Sequence, residues 1–206
     1  MELALGVRDV LLAPRCAGCG EPGSWFCVAC RVECEPVTHD GRIPIRGAGA
    51  HVGPLRAAVR RLKYGGEPAL AQDLGALVAL ELARDLACGV RVDAVVPVPL
   101  HRSRAATRGY DQAALLAHAV AAHTGLPLQP ALHRIHGGRP QVELDRAARA
   151  ANIRGAFVAE AGSLRGLRVA LIDDVATTGA TLVDAATAAR AAGARSVRAY
   201  VVAVEE

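Results

Sequence analysis

The chain has 206 residues, of which 52% are hydrophobic but only 3% are aromatic, and its formal net charge is +4. This length allows one well-packed α/β domain with a small appendage, and the core must consist mainly of Ala, Val and Leu side chains. No charge-free stretch is long enough to span a membrane, and residues 1–9 lack the pattern of a signal peptide. We therefore expect a cytoplasmic protein, whose modest positive charge is compatible with an anionic ligand.

The N-terminal part of the chain is marked by clustered cysteines. The motifs Cys16-x-x-Cys19 and Cys27-x-x-Cys30 are separated by seven residues, and Cys34 follows closely. Two motifs of this kind predict a structural Zn²⁺ held by four thiolates, with disulfides or free thiols as the alternatives. Cys34 could replace Cys30 as the fourth ligand. A segment of ~35 residues buries too little apolar surface to fold alone, so the metal would be its main stabiliser.

A change of composition near residue 50 predicts a domain boundary. The start of the chain is rich in Cys, Pro and Gly, whereas regularly spaced apolar segments follow. We predict a zinc-binding module over residues 1–50 and a second domain over residues 51–206. The elements predicted in the second domain are, in chain order, helices over 55–64 and 68–88, a strand over 92–98, a helix over 111–123, a strand over 168–173, a helix over 181–192 and a strand over 196–204. This alternation predicts an α/β fold with a mostly parallel sheet flanked by helices.

One polar segment, residues 133–154, interrupts the alternation of strands and helices. It carries several arginines and only two acids, so it is too polar for a core strand. We expect a loop or lid that is partly helical around residues 144–152. An ordinary exposed excursion is the alternative.

The most informative segment begins at the end of the apolar strand over 168–173. Asp173 and Asp174 are followed by a hydroxyl-rich turn and the start of a helix. Open α/β sheets bind ligands at the carboxyl ends of their strands. The unpaired amides and Thr hydroxyls of such a turn can bind an anion, and Gly179 lets the backbone approach a phosphate closely. Two carboxylates beside a phosphate site suit sugar hydroxyls, so the segment predicts a ribose 5-phosphate site. The alternative, a helix cap and a plain turn, needs only one acid.

Residues 171–181 resemble the phosphoribosyl-pyrophosphate-binding signature of type I phosphoribosyltransferases. The resemblance implies that Asp173 and Asp174 contact the ribose 2′- and 3′-hydroxyls. The ligand-binding segment that it implies consists of Val175, Ala176, Thr177, Thr178, Gly179, Ala180 and Thr181, of which the last five bind the 5-phosphate. No P-loop motif occurs.

Further segments resemble the ComF family of competence-associated proteins, and together they span most of residues 54–206. They are residues 62–66, 96–104, 108–112, 139–144, 149–152 and 155–157. Two mild departures are Glu67, where Asp is common, and Asp111, where Asn is common. In the related transferases the loop after the first core strand holds pyrophosphate. This implies a pyrophosphate loop over residues 99–104, which begins with Pro99 and in which Arg102 and Arg104 donate hydrogen bonds to phosphate oxygens. A solvated basic turn is the alternative, and Lys63 is either a phosphate contact or a solvated residue.

Three functions are compatible with these patterns. The first is a phosphoribosyltransferase with an unknown acceptor, in which Mg²⁺ accompanies phosphoribosyl pyrophosphate and the protein mainly supplies positioning and electrostatic stabilisation. The second is a non-enzymatic competence factor that handles single-stranded DNA or contacts other competence proteins. Scarce aromatic residues argue against extensive base stacking in that role. The third is a sensor that binds the phosphoribosyl ligand without turnover.

Overall fold

A computed structural model of the chain describes residues 14–100, 106–135 and 155–205. The helices are α1 (Val28–Val32), α2 (Gly53–Tyr64), α3 (Leu70–Ala87), α4 (Gln112–Thr124) and α5 (Ala180–Ala191). The strands are β1 (Val37–Asp40), β2 (Pro44–Ala50), β3 (Ala94–Pro97), β4 (Leu132–Arg134), β5 (Phe157–Ala159), β6 (Arg168–Ala176) and β7 (Ser196–Val204). In these segments, no helix combines the length and the apolar character that crossing a membrane requires.

A five-stranded sheet with the order β1-β2-β7-β6-β3 forms the centre of the fold. The pairs β2–β7, β7–β6 and β6–β3 are parallel, and only the edge hairpin β1–β2 is antiparallel. Strands β4 and β5 form a separate antiparallel pair. The predicted α/β fold with a mostly parallel sheet is therefore confirmed, and the carboxyl ends of four adjacent strands meet at one edge of the sheet.

Helices cover both faces of this sheet. Side chains alternate along β6, so that Ala170 and Ile172 pack in one core cluster while Val169 and Leu171 pack in the other. The first cluster contains the apolar sides of α2, α3 and α4, and the second contains that of α5. Central strands that are covered on both faces carry continuous apolar runs, which is the pattern that the sequence presents.

Strand β6 is longer than the sequence pattern predicts. It continues through both acids to Ala176, because Val175 and Ala176 pair with Ala203 and Val204 of β7. The two acids are therefore held by the sheet ladder, whereas the predicted strand ended at Asp173. The helix that follows begins at Ala180, close to its predicted start.

Two strands lie in the part of the chain where no periodicity was expected. Strand β2 contains Gly47 and Gly49, which disfavour strands, yet it pairs in parallel with β7. A Cβ atom on Gly47 would lie 2.6 Å from Val204 Cγ2, so close packing against β7 requires a glycine there. The domain boundary at residue 50 stays a prediction, and β1 and β2 on its N-terminal side belong to the large sheet.

The cysteine-rich segment packs directly on α2 and α3. Its Phe26 is fully buried, and Cys16 and Cys30 share one core cluster with Leu55 and Leu62 of α2. Asp73 of α3 accepts a hydrogen bond from the Phe26 amide at 2.9 Å and forms an ion pair with Arg31 at 2.7 Å. Folding of this segment is thus coupled to the core of the sheet domain.

A buried polar cluster joins α3 to the sheet. Asp85 is 2% exposed, accepts a hydrogen bond from the Tyr200 hydroxyl at 2.8 Å and pairs with Arg46 Nε at 2.6 Å. Burial, followed by the hydrogen bond to Asp85, raises the pKa of Tyr200 above its ordinary range. The cluster anchors α3 to β2 and β7.

We expect Asp85→Ala to lower the free energy of unfolding by about 3 kcal/mol, because it leaves Arg46 and the Tyr200 hydroxyl without their partner. Tyr200→Phe keeps the packing and removes one hydrogen bond, so it should cost only about 1 kcal/mol. Urea unfolding of both variants measures the difference. Equal losses in the two variants would contradict the assignment of Asp85 as the centre of the cluster.

Candidate functional site

The two acids predicted from the sequence stand near the end of β6, between β7 and β3. Asp173 accepts a hydrogen bond from the Asp174 amide at 2.8 Å. Asp174 forms an ion pair with Lys63 Nζ at 2.8 Å, and its side chain is 14% exposed. Lys63 lies near the end of α2, so a helix far away in sequence supplies the cation for this acid.

The environment of Asp173 favours its neutral form. Burial, together with the nearby charge of Asp174, raises the pKa of Asp173 to about 8, and the Asp174 amide and Lys63 only partly offset this. A shifted carboxyl beside a second acid is typical of ligand or metal sites in clefts. The two carboxyls therefore offer oxygen ligands, and a cation bound to them would favour the ionised form of Asp173.

The turn between β6 and α5 presents backbone amides that lack a backbone acceptor in the described part of the chain. Among the described residues, no backbone acceptor receives the N–H groups of Thr177, Thr178 or Gly179. Thr178 Oγ1 accepts a hydrogen bond from the Ala180 amide at 3.3 Å. Gly179 has φ +70 and a Cβ atom there would lie 3.1 Å from Ile45 Cδ1, so this position favours glycine. Free amides at the start of a helix are suited to an anion.

A cavity of about 200 Å³ brings together several of the predicted residues. Those that line it are Lys63, Pro99, Asp173, Asp174, Val175 and Thr181. The remaining members of the predicted segment, Ala176, Thr177, Thr178, Gly179 and Ala180, occupy the adjoining strand end, turn and helix start. Arg102 and Arg104 lie outside the described residues, as does most of the expected lid over residues 133–154.

Other residues line this cavity that the sequence interpretation did not name individually as ligand contacts. They are Tyr64, Val98, Leu100, Arg108, Asp111, Gln112, Ala113 and Arg134. Gln112 is 1% exposed, and its Nε2 has no hydrogen-bond partner among the described residues. A buried donor without a partner is costly unless a ligand or water accepts from it. The sequence feature that could have identified Gln112 is the run over residues 108–112, which served only as part of the resemblance to the ComF family.

Asp111 connects the loop after β3 to α4. Its Oδ1 accepts a hydrogen bond from the Ala114 amide at 3.1 Å, which caps the helix. Its Oδ2 accepts from the Leu100 amide at 2.8 Å, at the entrance to the segment that contains the two predicted arginines. The neighbouring Tyr110 hydroxyl donates to the Leu62 carbonyl at 2.6 Å, which holds the end of α2 near the cavity.

We expect Asp111→Ala to lower the free energy of unfolding by about 2 kcal/mol, because both backbone amides lose their acceptor. Asp111→Asn retains one oxygen for the helix cap but cannot accept with its amide nitrogen, so it should cost about half as much. Thermal or urea unfolding of the two variants measures the order. The assignment of two separate hydrogen bonds fails if Asn is as damaging as Ala.

The four cysteines of the two Cys-x-x-Cys motifs form a compact cluster. Sulfur atoms of Cys16, Cys19, Cys27 and Cys30 all lie within 4.8 Å of one another, with Cys16–Cys30 at 3.7 Å and Cys19–Cys27 at 3.6 Å. Four thiolates around a tetrahedral Zn²⁺, each at ~2.3 Å, have sulfurs separated by ~3.8 Å. These cysteines therefore fit such an ion. The Cys34 thiol donates instead to the Cys30 carbonyl at 3.3 Å and is not in the cluster.

The cluster also has the electrostatics of a cation site. Burial alone would raise the pKa of Cys16, but backbone amides including those of Cys27 and Gly18 point at its sulfur and lower the pKa to about 6. Burial and the neighbouring thiols raise the pKa of Cys30 instead. Four thiolates cannot share so small a volume without a positive charge, so the arrangement favours a divalent metal.

Comparison with known proteins gives relatives that span most of the chain, although no protein-family model matches the sequence. Competence protein F of Haemophilus influenzae is 28% identical over 201 residues, which are 94% of this chain and 86% of that protein. DNA utilization protein YhgH of Salmonella typhimurium is 30% identical over 150 residues, which are 71% of this chain and 66% of that protein.

Solved structures of two enzymes are similar to part of this chain. The allosteric regulatory enzyme of purine biosynthesis matches with 27% identity and a TM-score of 0.43, over 64% of this chain and 25% of that chain. Glutamine phosphoribosylpyrophosphate amidotransferase from B. subtilis matches with 28% identity and a TM-score of 0.44, over 64% of this chain and 26% of that chain. The chain thus corresponds to about a quarter of the length of these enzymes.

Proposed function

Because the chain belongs to the ComF family of competence-associated proteins, we propose that it binds phosphoribosyl pyrophosphate, or a related ribose 5-phosphate, with Mg²⁺. The observation that carries this proposal is the convergence of three features on one cavity of about 200 Å³. They are the acid pair at the end of β6 and the cationic or donor side chains from α2 and α4, which line the cavity, and the turn before α5, which adjoins it.

Each part of the ligand has matching chemistry in this cavity. The 5-phosphate accepts from the amides of residues 177–179 at the start of α5. The ribose 2′- and 3′-hydroxyls donate to Asp173 and Asp174. The pyrophosphate lies toward Pro99 and the following loop, for which we propose Arg102 and Arg104 as bidentate donors. Lys63, already at the rim of the cavity, is free to contact a phosphate when it leaves Asp174.

The donor set also fits a hard divalent cation. Mg²⁺ prefers oxygen ligands and shares them with substrate phosphates, and two adjacent carboxyls stand at this site. When bound to the ligand's oxygens, the ion would neutralise charge on the pyrophosphate leaving group. In the absence of ligand, Lys63 supplies positive charge to Asp174 at 2.8 Å.

Turnover at this site is displacement at C1 of the ribose. The C1–O bond to pyrophosphate breaks, a C1–N bond forms to a nitrogen acceptor, and the acceptor loses a proton. Pyrophosphate departs with the electron pair of the broken bond. The residues described at the cavity would contribute by orienting the ligand and by stabilising charge.

We further propose that the cysteine cluster holds a structural Zn²⁺. The four sulfurs have the separations of a tetrahedral site, and all four positions are protein thiolates, so no ligand position is left for catalysis. At the cellular level, the names of the relatives connect the family to competence and DNA utilization. We propose a role for this chain in the same process, with single-stranded DNA handling as the second candidate.

Calorimetric titration with phosphoribosyl pyrophosphate, with and without Mg²⁺, tests the proposed ligand. We expect saturable binding that requires Mg²⁺ for full affinity. Absence of binding in both conditions would overturn the proposal. Release of pyrophosphate during incubation with nitrogen heterocycles then distinguishes a transferase from a sensor.

A further inference from the structure

Tyr64 is unlike the other aromatic residues of this chain. The chain has one Trp, three Tyr and two Phe. Phe26, Phe157 and Tyr200 are buried, Trp25 and Tyr110 are partly buried, and Tyr64 is 73% exposed. An exposed ring contributes little to the core, so the packing of this protein gives no reason for Tyr64.

The position of Tyr64 links it to the proposed ribose-phosphate site. It is the last residue of α2 and follows Lys63, whose Nζ contacts Asp174 at 2.8 Å. Its side chain lines the same cavity as the acid pair. Tyr110, by contrast, has a structural task, since its hydroxyl donates to the Leu62 carbonyl at 2.6 Å.

Arg108 adds a second planar group at this position. Its guanidinium carbon lies 4.9 Å from the centre of the Tyr64 ring, and Arg108 also lines the cavity. An arginine over an aromatic ring restrains the ring and is itself a planar group on which a base can stack. The rim of the cavity therefore carries a restrained aromatic and guanidinium pair within reach of a sugar held by the acids.

We propose that Tyr64 and Arg108 form a stacking surface for the nucleobase of a ligand whose ribose phosphate occupies the cavity. This inference rests on the proposed function and names the class of molecule that the site takes beyond the sugar. A base attached to C1 of a ribose lies just outside the pocket that holds the sugar and phosphate. Stacking on an aromatic ring suits any nucleobase, because each has a π face. The base belongs to a free nucleotide or to a nucleotide within a single strand.

Comparison of ribose 5-phosphate with AMP by calorimetry tests the stacking surface, because the two ligands share the sugar phosphate and differ in the base. We expect the full-length protein to bind AMP about tenfold more tightly than ribose 5-phosphate. Tyr64→Ala should abolish that preference by lowering the affinity for AMP to that for ribose 5-phosphate. Tyr64→Phe keeps the ring and should retain the preference.

A matched control is Leu80→Ala, which removes another exposed apolar side chain, 48% exposed, from α3 at a separate groove. It should keep the preference for AMP. A single-stranded dA12 oligonucleotide, titrated in parallel, identifies the source of the base. Tyr64-dependent binding of AMP alone assigns a free nucleotide, and Tyr64-dependent binding of the oligonucleotide assigns a strand.

The outcomes separate this inference from the proposed function. Binding of ribose 5-phosphate without any Tyr64-dependent gain for AMP or dA12 overturns the stacking surface and leaves the proposed function standing. Tyr64-dependent binding of AMP without binding of ribose 5-phosphate supports the stacking surface and contradicts the sugar-phosphate site. Failure of the wild-type protein to bind any of the three ligands overturns the stacking surface, and the titration with phosphoribosyl pyrophosphate and Mg²⁺ then decides the proposed function.

Discussion

Removal of zinc is expected to unfold residues 14–34 and to expose the core surface that they cover on α2. The segment contains only one short helix, α1, and its buried side chains Cys16, Phe26 and Cys30 pack on Leu55 and its neighbours. Binding of a structural Zn²⁺ by four thiolates contributes on the order of 10 kcal/mol in small zinc modules. Without the ion, the thiols take up protons and no bond holds the four sulfurs together, and the segment has too little apolar burial to stay ordered.

The single tryptophan provides a direct measurement of this unfolding. Trp25 lies within the segment and is partly buried, so chelation of zinc should shift its fluorescence toward that of a solvated indole. We expect one zinc per chain in purified protein by metal analysis. Absence of bound metal in protein that still shows the folded Trp25 signal would contradict the assignment.

Cysteine variants identify the four ligands. Cys30→Ser should lose the metal, because its sulfur lies 3.7 Å from that of Cys16 within the cluster. Cys34→Ser and the exposed Cys88→Ser should retain it, since both sulfurs are outside the cluster. Zinc loss in Cys34→Ser with retention in Cys30→Ser would reverse the ligand assignment.

Asp174→Asn is expected to weaken binding of phosphoribosyl pyrophosphate with Mg²⁺ by about 10- to 100-fold. The substitution keeps the shape of the side chain but removes the charge, and hydrogen bonds to charged groups contribute roughly 1.5–3 kcal/mol each. It also removes the ion pair with Lys63. Asp173→Asn should have a similar effect, because the proposal assigns both carboxyls to the ribose hydroxyls.

The control for this prediction is Asp93→Asn, just before β3 and beside Arg168 at the start of β6. Asp93 pairs with Arg168 at 2.6 Å, and that hydrogen bonding lowers the pKa of Asp93 to about 2. A lowered pKa means that this stabilisation is present above the ordinary value of 3.8 and is lost as the pH falls toward 2. Asp93→Asn should therefore change acid stability and leave ligand affinity unchanged. Calorimetric titration of both variants with phosphoribosyl pyrophosphate and Mg²⁺ measures the two affinities. An affinity of Asp174→Asn within twofold of wild type would exclude a contact between Asp174 and the ribose.

The local patterns of the chain predicted the features that depend on neighbouring residues in sequence. The apolar run, the acid pair and the glycine before a helix indicated β6, the turn and α5, because strand burial, unpaired amides and positive φ are short-range requirements. The two Cys-x-x-Cys motifs likewise predicted a four-sulfur cluster. The ligand roles of these residues stay predictions.

Tertiary structure alone decided the features that depend on residues distant in sequence. Strand β2 forms despite its glycines because β7 provides a partner, and β4–β5 form a pair across an intervening segment. The ion pair of Lys63 with Asp174 joins α2 to β6, which no periodicity reveals. The exclusion of Cys34 from the cluster and the exposure of Tyr64 at the cavity have the same physical reason. Both are set by how helices and loops pack around the sheet, and sequence spacing does not encode those distances.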